Sequence, residues 1–572
     1  MKWLFKYFKG YKKDMVIAPS FKFIETATEI AIPMLVANMI DIGVANRDAN
    51  YIAIYGAIVV LLNIVGIVCA VVCQKYAARA SSGIAYEIRN SMYEHINTFS
   101  HAELDKFGTA TLNNRITHDV TRVRQAIGMF IRLVMRTPFL IIGSLVMAFI
   151  IDMKLSLIYL VISPLILGAV FLILKLTEPL YDRTQKNLDK VSEITRENLQ
   201  GARVVRAFNK QDYEEERFQY ASKELRKSAI KVTKISTLLN PITTTIINFG
   251  IIAILWFGGI QVNVGSLTQG QIIAFVNYMT QISGALVSLA NIIIAFIKAS
   301  NCSKRIQEVF NTKPSVVETN TEVVERSPLS TAPKIEFKNA SFAYEGAANY
   351  AIKNLNLVIE PGETIGIIGG TGSGKSSIIN LIPRFYDTTE GDVFVDGINV
   401  KDYSFSQLRS KIGLVPQKAV LFKGSLKENL RWRKSDASIE EMTKAVKISQ
   451  SDEFVSELPN RYDYKIQAGG KNLSGGQRQR LTIARALIGD PEILILDDSA
   501  SALDFATDAA LRKAIKEEIN TTVILVSQRA NTVKNANKIV VLENGNVVAI
   551  GKHKELLETC DVYREIYQSQ TK

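Results

Sequence analysis

Residues 364–382, TIGIIGGTGSGKSSIINLI, decide the fold of the C-terminal half of this 572-residue chain. The apolar residues at the start of the stretch predict a strand, the glycines after them predict a loop, and the residues from Lys375 onward predict a helix. Residues 369–376 match the phosphate-binding pattern G-x-x-x-x-G-K-S, which requires this order of strand, loop and helix. The stretch therefore predicts an α/β nucleotide-binding domain of the P-loop NTPase class.

The residue types in this loop indicate its chemistry. Backbone N–H groups of a glycine-rich loop and of the following helix surround phosphate oxygens. The Lys375 ammonium is expected to reach the β- and γ-phosphates, and the Ser376 hydroxyl to bind Mg²⁺. ATP and Mg²⁺ are therefore the expected cofactors. The predicted ATP-binding residues of the loop are Gly369, Gly370, Thr371, Gly372, Ser373, Gly374, Lys375, Ser376 and Ser377.

A second anion-binding feature follows the phosphate loop in the sequence. An apolar strand at residues 493–496 ends at Asp497, where a carboxylate that completes the Mg²⁺ shell is expected. Between the two, residues 472–478 (NLSGGQR) place a hydroxyl group and two glycines before a helical stretch, which predicts another anion-binding helix start. One nucleotide does not need two such sites. We therefore expect a head-to-tail dimer, in which this segment serves the partner's nucleotide.

The first 300 residues predict a membrane domain. A helix needs about 20 mostly apolar residues to cross a bilayer, and six stretches qualify. The predicted spans are roughly 16–40, 51–74, a span through 132–151, 155–174, and two between 234 and 298 that are joined by a turn at 258–270. Basic residues concentrate at the N-terminus and in the connections 75–136 and 175–234, which places both termini in the cytoplasm.

Composition excludes other classes of protein. Only 34 glycines and 14 prolines argue against collagen-like or low-complexity chains, and four scattered cysteines predict neither a disulfide framework nor a zinc site. A net charge of +13 is explained by basic residues on the cytoplasmic side of the spans, so no nucleic-acid partner is expected. Residues 1–14 are basic and amphipathic and predict an interfacial helix rather than a removable signal peptide.

Three charged residues interrupt the first predicted span. Lys22, Glu25 and Glu29 are spaced to share one helical face. They either line a path for a substrate or ion, or lie at the cytoplasmic interface, where Lys22 pairs with a carboxylate. Further along, residues 311–333 are polar and contain prolines, which predicts a linker. The expected organisation is a transmembrane domain at 1–310, this linker, and the nucleotide-binding domain at 334–572.

These motifs together resemble a known family. The run LSGGQ at 473–477, the phosphate loop, Asp497 and the segment SALD at 501–504 resemble the ATP-binding cassette, and six preceding spans make the chain similar to a half-size ABC exporter. Two segments are similar to the family's cytoplasmic coupling regions: Leu112, Arg115 and Asp119 in the first, and residues 201–208 with 217–218 in the second. The resemblance implies an all-α six-helix membrane domain fused to an α/β cassette.

The resemblance also implies a function. It suggests ATP-driven export of small hydrophobic or amphiphilic compounds of the multidrug type, from a lipid bilayer, at a bacterial plasma membrane. Export of lipids or peptides is the alternative. In this family the aromatic at Tyr344 stacks on adenine, and Gln417 contacts Mg²⁺ and the attacking water. The metal ligands would then be Ser376, Gln417 and Asp497. The partner's ATP would be contacted by Leu473, Ser474, Gly475, Gly476 and Gln477, with the D-loop residue Asp504 at the dimer interface.

The catalytic positions depart from the family pattern. Asp498 stands where the family usually has the general base Glu, and Gln528 stands where it has a histidine that contacts the γ-phosphate. Aspartate is one methylene shorter than glutamate, and glutamine cannot carry a charge. Ala468 replaces a glutamate that exporters often have before the LSGGQ run. We therefore expect Asp498 and Gln528 to form a weakly active ATP site.

The family's glutamate and histidine are both missing in a chain whose phosphate loop and LSGGQ run are intact. This combination is typical of one half of a heterodimeric exporter. Its partner would be a second half-transporter whose phosphate loop uses this chain's LSGGQ in a competent site. A homodimer with Asp498 as a slow base is the main alternative. An ATP-gated channel and a purely regulatory membrane subunit share the same motifs and are further alternatives.

Overall fold

The computed structural model describes residues 2–318 and 332–571. It divides into two compact units. The N-terminal unit contains Met1–Ile96 and Ala110–Asn311, and the C-terminal unit contains Asn97–Thr109 and Thr312–Lys572. Most of the predicted linker at 311–333 lies outside the described residues.

Six long helices of the described chain are apolar enough to cross a membrane, which confirms the six predicted spans. They are α1 Phe5–Val44, α2 Ala49–Asn97, α4 Thr109–Ile151, α5 Met153–Gln200, α7 Gln211–Asn263 and α8 Gln269–Asn311. Two short helices lie between them, α3 His101–Phe107 and α6 Ala202–Ala207. A helix as long as α5, with 48 residues, extends for about 70 Å, so it projects well beyond a 30 Å hydrocarbon core.

Short connections and buried hydroxyl groups hold the N-terminal unit together. Asp152 separates α4 from α5, and its Oδ1 caps α5 by accepting the Leu155 N–H at 2.7 Å. The turn before α8 is shorter than predicted, because α7 continues to Asn263. The buried Tyr159 donates its hydroxyl to the Phe275 carbonyl at 2.6 Å, which joins α5 to α8 without an unsatisfied polar group.

The residues resembling the first coupling region pack inside the N-terminal unit. Leu112 is buried, and the Arg115 guanidinium forms an ion pair with Glu308 at 2.9 Å. Asp119 accepts hydrogen bonds from Arg305. Arg115 and Asp119 therefore tie the start of α4 to the cytoplasmic end of α8.

The C-terminal unit is built on two main sheets. The antiparallel sheet contains β1 Ile335–Phe342, β2 Ile352–Ile359, β4 Glu390–Val395 and β5 Ile398–Asn399, in the order β2-β1-β4-β5. The second sheet contains β3 Thr364–Gly369, β6 Ile412–Val415, β9 Ile493–Asp497, β10 Thr522–Ser527, β11 Lys538–Glu543 and β12 Asn546–Gly551. Its order is β12-β11-β3-β10-β9-β6, and all but the edge strand β12 are parallel. A short ladder joins β7 Gly424–Ser425 and β8 Lys465–Ile466.

Besides α3, ten α-helices of the described chain belong to this unit. They are α9 Lys375–Leu381, α10 Phe405–Ser410, α11 Leu426–Leu430, α12 Ile439–Ile448, α13 Asp452–Glu457, α14 Gly475–Leu487, α15 Phe505–Glu518, α16 Ala530–Val533, α17 His553–Thr559 and α18 Asp561–Thr571. The fold class predicted from the sequence, a six-helix membrane domain with an α/β nucleotide-binding domain, is confirmed.

Helix α3 packs within the C-terminal unit. The His101 ring stacks on Phe385 with ring centroids 4.3 Å apart, and the Tyr386 hydroxyl donates to Asp105 at 2.8 Å. Sequence reasoning did not single out these contacts. The signal for the helix was present, since Ser100 and Glu103 form the capping box that starts it.

A charged cluster joins the two main sheets. Asp396, which follows β4 and is 8% exposed, pairs with Lys334 at 2.7 Å and with Lys411 at 2.8 Å. Both lysines also pair with Glu492, which precedes β9. Burial alone would raise the pKa of Asp396, but the hydrogen bonds from the two lysines outweigh burial and lower it. The cluster therefore stabilises the fold while the Asp396 carboxylate is ionised.

Asp396→Asn should lower the free energy of unfolding of the C-terminal unit by about 2 kcal/mol at pH 7, because Lys334 and Lys411 would each lose a charge-assisted hydrogen bond to a buried carboxylate and keep only Glu492. Since the pKa of Asp396 is lowered by folding, this stabilisation is complete above about pH 4 and is lost below it. The difference from wild type should therefore shrink in acid. Hydrogen-exchange protection of β1 and β9 in the full-length protein measures the effect.

The matched control is Asp436→Asn, which changes an exposed aspartate of the same unit. It should leave protection unchanged. Equal protection in both variants at pH 7 would contradict a stabilising role for the cluster.

Candidate nucleotide-binding site

One pocket of about 300 Å³ lies at the carboxyl ends of β3, β9 and β10. Strand β10 lies between the other two, so the residues that follow all three strands meet at one edge of the sheet. The structure brings together in this pocket Tyr344, Thr371, Gly372, Gly374, Lys375, Ser376, Ser377, Gln417, Asp497, Asp498 and Gln528, all of them predicted, and also Ala351, which was not predicted. No sequence signal marks Ala351, because its place depends on the packing of β2.

The phosphate loop has the backbone that its glycines allow. Gly372 and Gly374 have φ angles of 79° and 101°, which L-residues with a side chain rarely adopt. The Lys375 ammonium donates to the carbonyls of Gly369 and Gly370 at 2.9 and 2.7 Å. Burial lowers the pKa of Lys375, and the nearby carboxylates Asp498 and Asp497 partly offset this effect. The Lys375 ammonium is therefore held by its own loop at a position where it can contact phosphate oxygens.

Oxygen ligands suited to a divalent cation lie beside the loop. The Ser376 hydroxyl donates to Asp497 Oδ2 at 3.2 Å. Burial raises the pKa of Asp497, the Ser376 hydrogen bond and the Lys375 charge lower it, and the adjacent charge of Asp498 raises it further. A bound Mg²⁺ would relieve this repulsion between carboxylates, and Mg²⁺ prefers such oxygen ligands. The residues present therefore fit the metal, with Ser376 and Asp497 as its protein ligands and Gln417 nearby.

The two residues that depart from the family pattern both face this pocket. Asp498 has a φ angle of 45°, and its N–H donates to the Val526 carbonyl at 2.8 Å. Its carboxylate lies 3.5 Å from the Gln417 amide nitrogen, which is too long for more than a weak hydrogen bond. The Gln528 side chain is exposed, and its backbone carbonyl accepts a hydrogen bond from Gln570 at 2.7 Å.

Tyr344 lies at the rim of the pocket. Its hydroxyl is 3.0 Å from the Ser377 hydroxyl, which ties it to helix α9. The ring contacts Phe342 and Tyr386 edge-on and remains 39% exposed. An exposed aromatic face beside the phosphate loop can stack on a nucleotide base.

The LSGGQ residues lie outside the lining of this pocket. Ser474 caps α14, where its hydroxyl accepts the Gln477 N–H at 3.2 Å and Gln477 Oε1 accepts the Ser474 N–H at 2.9 Å. Leu473 is buried and anchors the segment, whereas no atom lies within 4 Å of a β-carbon added at Gly475. The helix start is therefore open, with exposed N–H groups that can bind an anion.

The D-loop packs behind this helix start. A β-carbon at Gly476 would lie 3.2 Å from the Ala502 carbonyl, so only glycine allows this approach without a shift. Asp504 caps α15, accepting the Thr507 N–H and hydroxyl at 2.8 Å each. These hydrogen bonds lower the pKa of Asp504.

The fold and the pocket define a P-loop ATPase fused to a six-span membrane domain. Residues 15–286 match the ABC transporter transmembrane region, and residues 352–501 match the ABC transporter family. An uncharacterised ABC transporter ATP-binding protein of Bacillus subtilis, YfiB, is 35% identical over 99% of this chain and 97% of its own length. The chain therefore belongs to the ABC transporter family, as a half-size exporter with a membrane domain and a cassette in one chain.

Two further proteins are similar over almost the whole chain. The ATP-dependent lipid A-core flippase of Desulfotalea psychrophila is 31% identical over 98% of this chain and 97% of its own length. A bacterial Atm1-family ABC exporter with ATP bound has the same fold, with a TM-score of 0.82 at 22% identity over 98% of this chain and 99% of that chain. The 572-residue chain itself couples ATP hydrolysis to transport at the bacterial plasma membrane, with its cassette in the cytoplasm.

Because the LSGGQ helix start is separate from the pocket of its own chain, Gly475→Glu should change the ATP affinity of that pocket by less than about twofold. Lys375→Ala should weaken it by at least about tenfold, since a charged phosphate contact is lost. Equilibrium binding of labelled ATP with Mg²⁺ to the full chain, diluted until it is monomeric, measures both.

Lys423→Ala removes an exposed lysine and serves as the control, with wild-type affinity expected. If Gly475→Glu weakens ATP binding as much as Lys375→Ala does, the separation of the two surfaces is contradicted.

Proposed function

We propose that this chain is one half of a heterodimeric exporter of hydrophobic or amphiphilic compounds. Its own phosphate loop holds ATP in a degenerate site, and its LSGGQ segment completes a competent site on the partner's phosphate loop. One observation carries the proposal: Asp498 and Gln528 both line the ATP pocket, at the two positions where the family places a general base and a γ-phosphate contact.

The size of the effect follows from the chemistry of hydrolysis. A general base contributes about 10² to 10⁴ in rate, and its oxygen must lie within hydrogen-bond reach of the attacking water. Asp498 is shorter than glutamate by one methylene, and a displacement of about 1 Å at a reacting atom lowers rates strongly. Gln528 offers a neutral amide where an imidazole would stand. The site therefore binds ATP and hydrolyses it slowly.

The remaining site residues keep the roles that the family assigns. Tyr344 stacks on adenine, the phosphate loop from Gly369 to Ser377 surrounds the phosphates, and Gln417 joins Ser376 and Asp497 around Mg²⁺. Residues Leu473 to Gln477 contact the partner's ATP, with Asp504 at the interface. The open helix start at Gly475 supports this division, because it is intact in a chain whose own catalytic positions are altered.

Two alternatives follow from specific observations. A homodimer would use Asp498, which borders the pocket, as a slow base. Lipid export is favoured by the similarity to the lipid A-core flippase of Desulfotalea psychrophila. In each case the membrane domain at 1–310 carries the transport path and the cassette at 334–572 supplies the energy.

The purified chain alone should hydrolyse ATP at a rate about 10² to 10⁴ below that of a competent cassette pair, because two copies would combine two degenerate sites. Steady-state phosphate release with Mg²⁺ measures this rate. Lys375→Ala supplies the background value. Robust Mg²⁺-dependent turnover by the chain alone, abolished by Lys375→Ala, would favour the homodimer and reject the heterodimer.

The double substitution Asp498→Glu with Gln528→His restores both family residues. We expect less than about a twofold gain in ATPase activity of the complex, with transport unchanged or reduced. The reason is that positioning of the attacking water and stabilisation of the transition-state charge also require the partner's LSGGQ segment, and such effects are not additive. The measurement compares ATPase rate and substrate flux with the same partner, and each single substitution is the control. A doubling of both rates would show that the site is merely slow. It would contradict the proposal that the site serves to hold nucleotide.

A further inference from the structure

A second pocket lies between helices α1, α4 and α8 of the membrane domain. It has a volume of about 460 Å³ and is lined by Glu29, Arg136, Thr280, Gln281 and Ser288, among others. Charged and polar side chains inside spans are energetically costly, and those that face a cavity commonly mark a transport path.

The two charged residues form an ion pair that stays open to the pocket. Arg136 Nη2 donates to both carboxylate oxygens of Glu29, at 3.1 and 3.0 Å. The side chains remain 27% and 33% exposed. Arg136 Nε is buried and has no hydrogen-bond partner within the described chain. The guanidinium therefore keeps donor capacity that Glu29 does not use.

Hydrogen bonds from α8 and α4 fix the frame around this pair. Gln281 Nε2 donates to the Glu29 backbone carbonyl at 3.1 Å, and Ser144 donates to Gln281 Oε1 at 3.2 Å. One residue further along α1, the Ile30 carbonyl accepts the Tyr278 hydroxyl at 2.9 Å. The backbone of α1 beside Glu29 is thus held against α8 before any ligand binds.

The pair lies inside the membrane-spanning part of these helices. Glu29 precedes the outer end of α1 by 15 residues, and Arg136 precedes the end of α4 by 15 residues, which corresponds to about 20 Å along each helix. Beside a partly enclosed cavity with protein walls, the attraction between unit charges is stronger than in bulk water.

The ion pair between Lys22 and Glu25 of α1 is different. Lys22 and Glu25 are 2.6 Å apart, but their side chains are only 14% and 11% exposed. They do not line the pocket. The three charged residues predicted to share one face therefore separate into a closed pair and one residue, Glu29, that faces the cavity.

A separate apolar groove lies further along the same two helices, α4 and α8. It has a volume of about 210 Å³ and is lined by residues of α4 and α8 that include Met129, Phe130, Ile292 and Phe296. Ile292 follows Ser288 by one helical turn, about 6 Å along α8. A molecule with a polar part and a hydrophobic part can therefore occupy both.

We propose that the pocket binds the polar part of a zwitterionic amphiphile, with its cationic group at Glu29 and its anionic group at Arg136, and that the apolar groove binds its hydrophobic part. This inference rests on the proposed export function and narrows its substrate class. Charge complementarity supports it. A purely cationic ligand is attracted by Glu29 and repelled by Arg136, and an anionic one meets the opposite pair of forces.

The test uses three fluorescent lipids with identical acyl chains and phosphocholine, phosphoglycerol or trimethylammonium headgroups. Equilibrium binding to the full-length chain in maltoside micelles is expected to favour phosphocholine by about tenfold. Glu29→Gln should shift the preference to phosphoglycerol, because the Arg136 charge is then unopposed. Arg136→Gln should shift it to trimethylammonium.

Two further variants control for damage to the fold. The exchange Glu29→Arg with Arg136→Glu keeps an ion pair and should keep the preference for phosphocholine. Glu25→Gln breaks the closed pair on the same helix and should leave the order of affinities unchanged. An order that is the same in wild type, Glu29→Gln and Arg136→Gln overturns the proposal, and so does the absence of saturable phosphocholine binding to folded wild type.

ATP-dependent export of the same lipids by this chain together with its partner half-transporter separates this inference from the proposed function. Export whose headgroup preference does not respond to Glu29→Gln or Arg136→Gln overturns the site and leaves the exporter standing. Binding that follows the predicted order without ATP-dependent export supports the site and argues against the export function.

Discussion

The parallel register of three neighbouring strands is the constraint on which the ATP site depends. Val526 of β10 pairs with Asp497 of β9, and Ser527 pairs with Ile368 of β3. Because the three strands end at one level, the phosphate loop, Asp497 and Gln528 all enter the same pocket. Backbone hydrogen bonds between buried strands set these positions. A side-chain substitution at Asp498 or Gln528 can therefore alter the chemistry without changing the frame.

The C-terminal unit also presents a second surface, the LSGGQ segment. This segment does not line the ATP pocket of its own chain. Ser474 and Gln477 satisfy each other's N–H groups in a capping box, which fixes the start of α14. Gly475 then stands in open space, outside the pocket of its own chain. An intact anion-binding surface paired with altered catalytic residues is the physical basis for proposing an asymmetric pair of cassettes.

In the membrane domain, charged residues that lie close together in the sequence of α1 differ in how exposed their side chains are. Lys22 and Glu25 pair with each other within α1, and both side chains are largely buried. Glu29 pairs with Arg136 beside a cavity and keeps a third of its side chain exposed. An exposed pair beside a cavity with protein walls can act on a ligand more strongly than charges in bulk water, because the effective dielectric constant there is lower. This difference leads to the proposed preference for zwitterionic amphiphiles.

The sequence by itself determined the six spans, the phosphate loop and Asp497, because hydrophobic runs and glycine spacing are local patterns that neighbours in the chain largely decide. It also identified Asp498 and Gln528 as departures from the family pattern. Only the tertiary structure decided that residues 97–109 pack with the C-terminal unit, and that Glu29 pairs with Arg136. These contacts join residues far apart in the chain, so they depend on how helices pack and which faces remain open, and no local pattern encodes that.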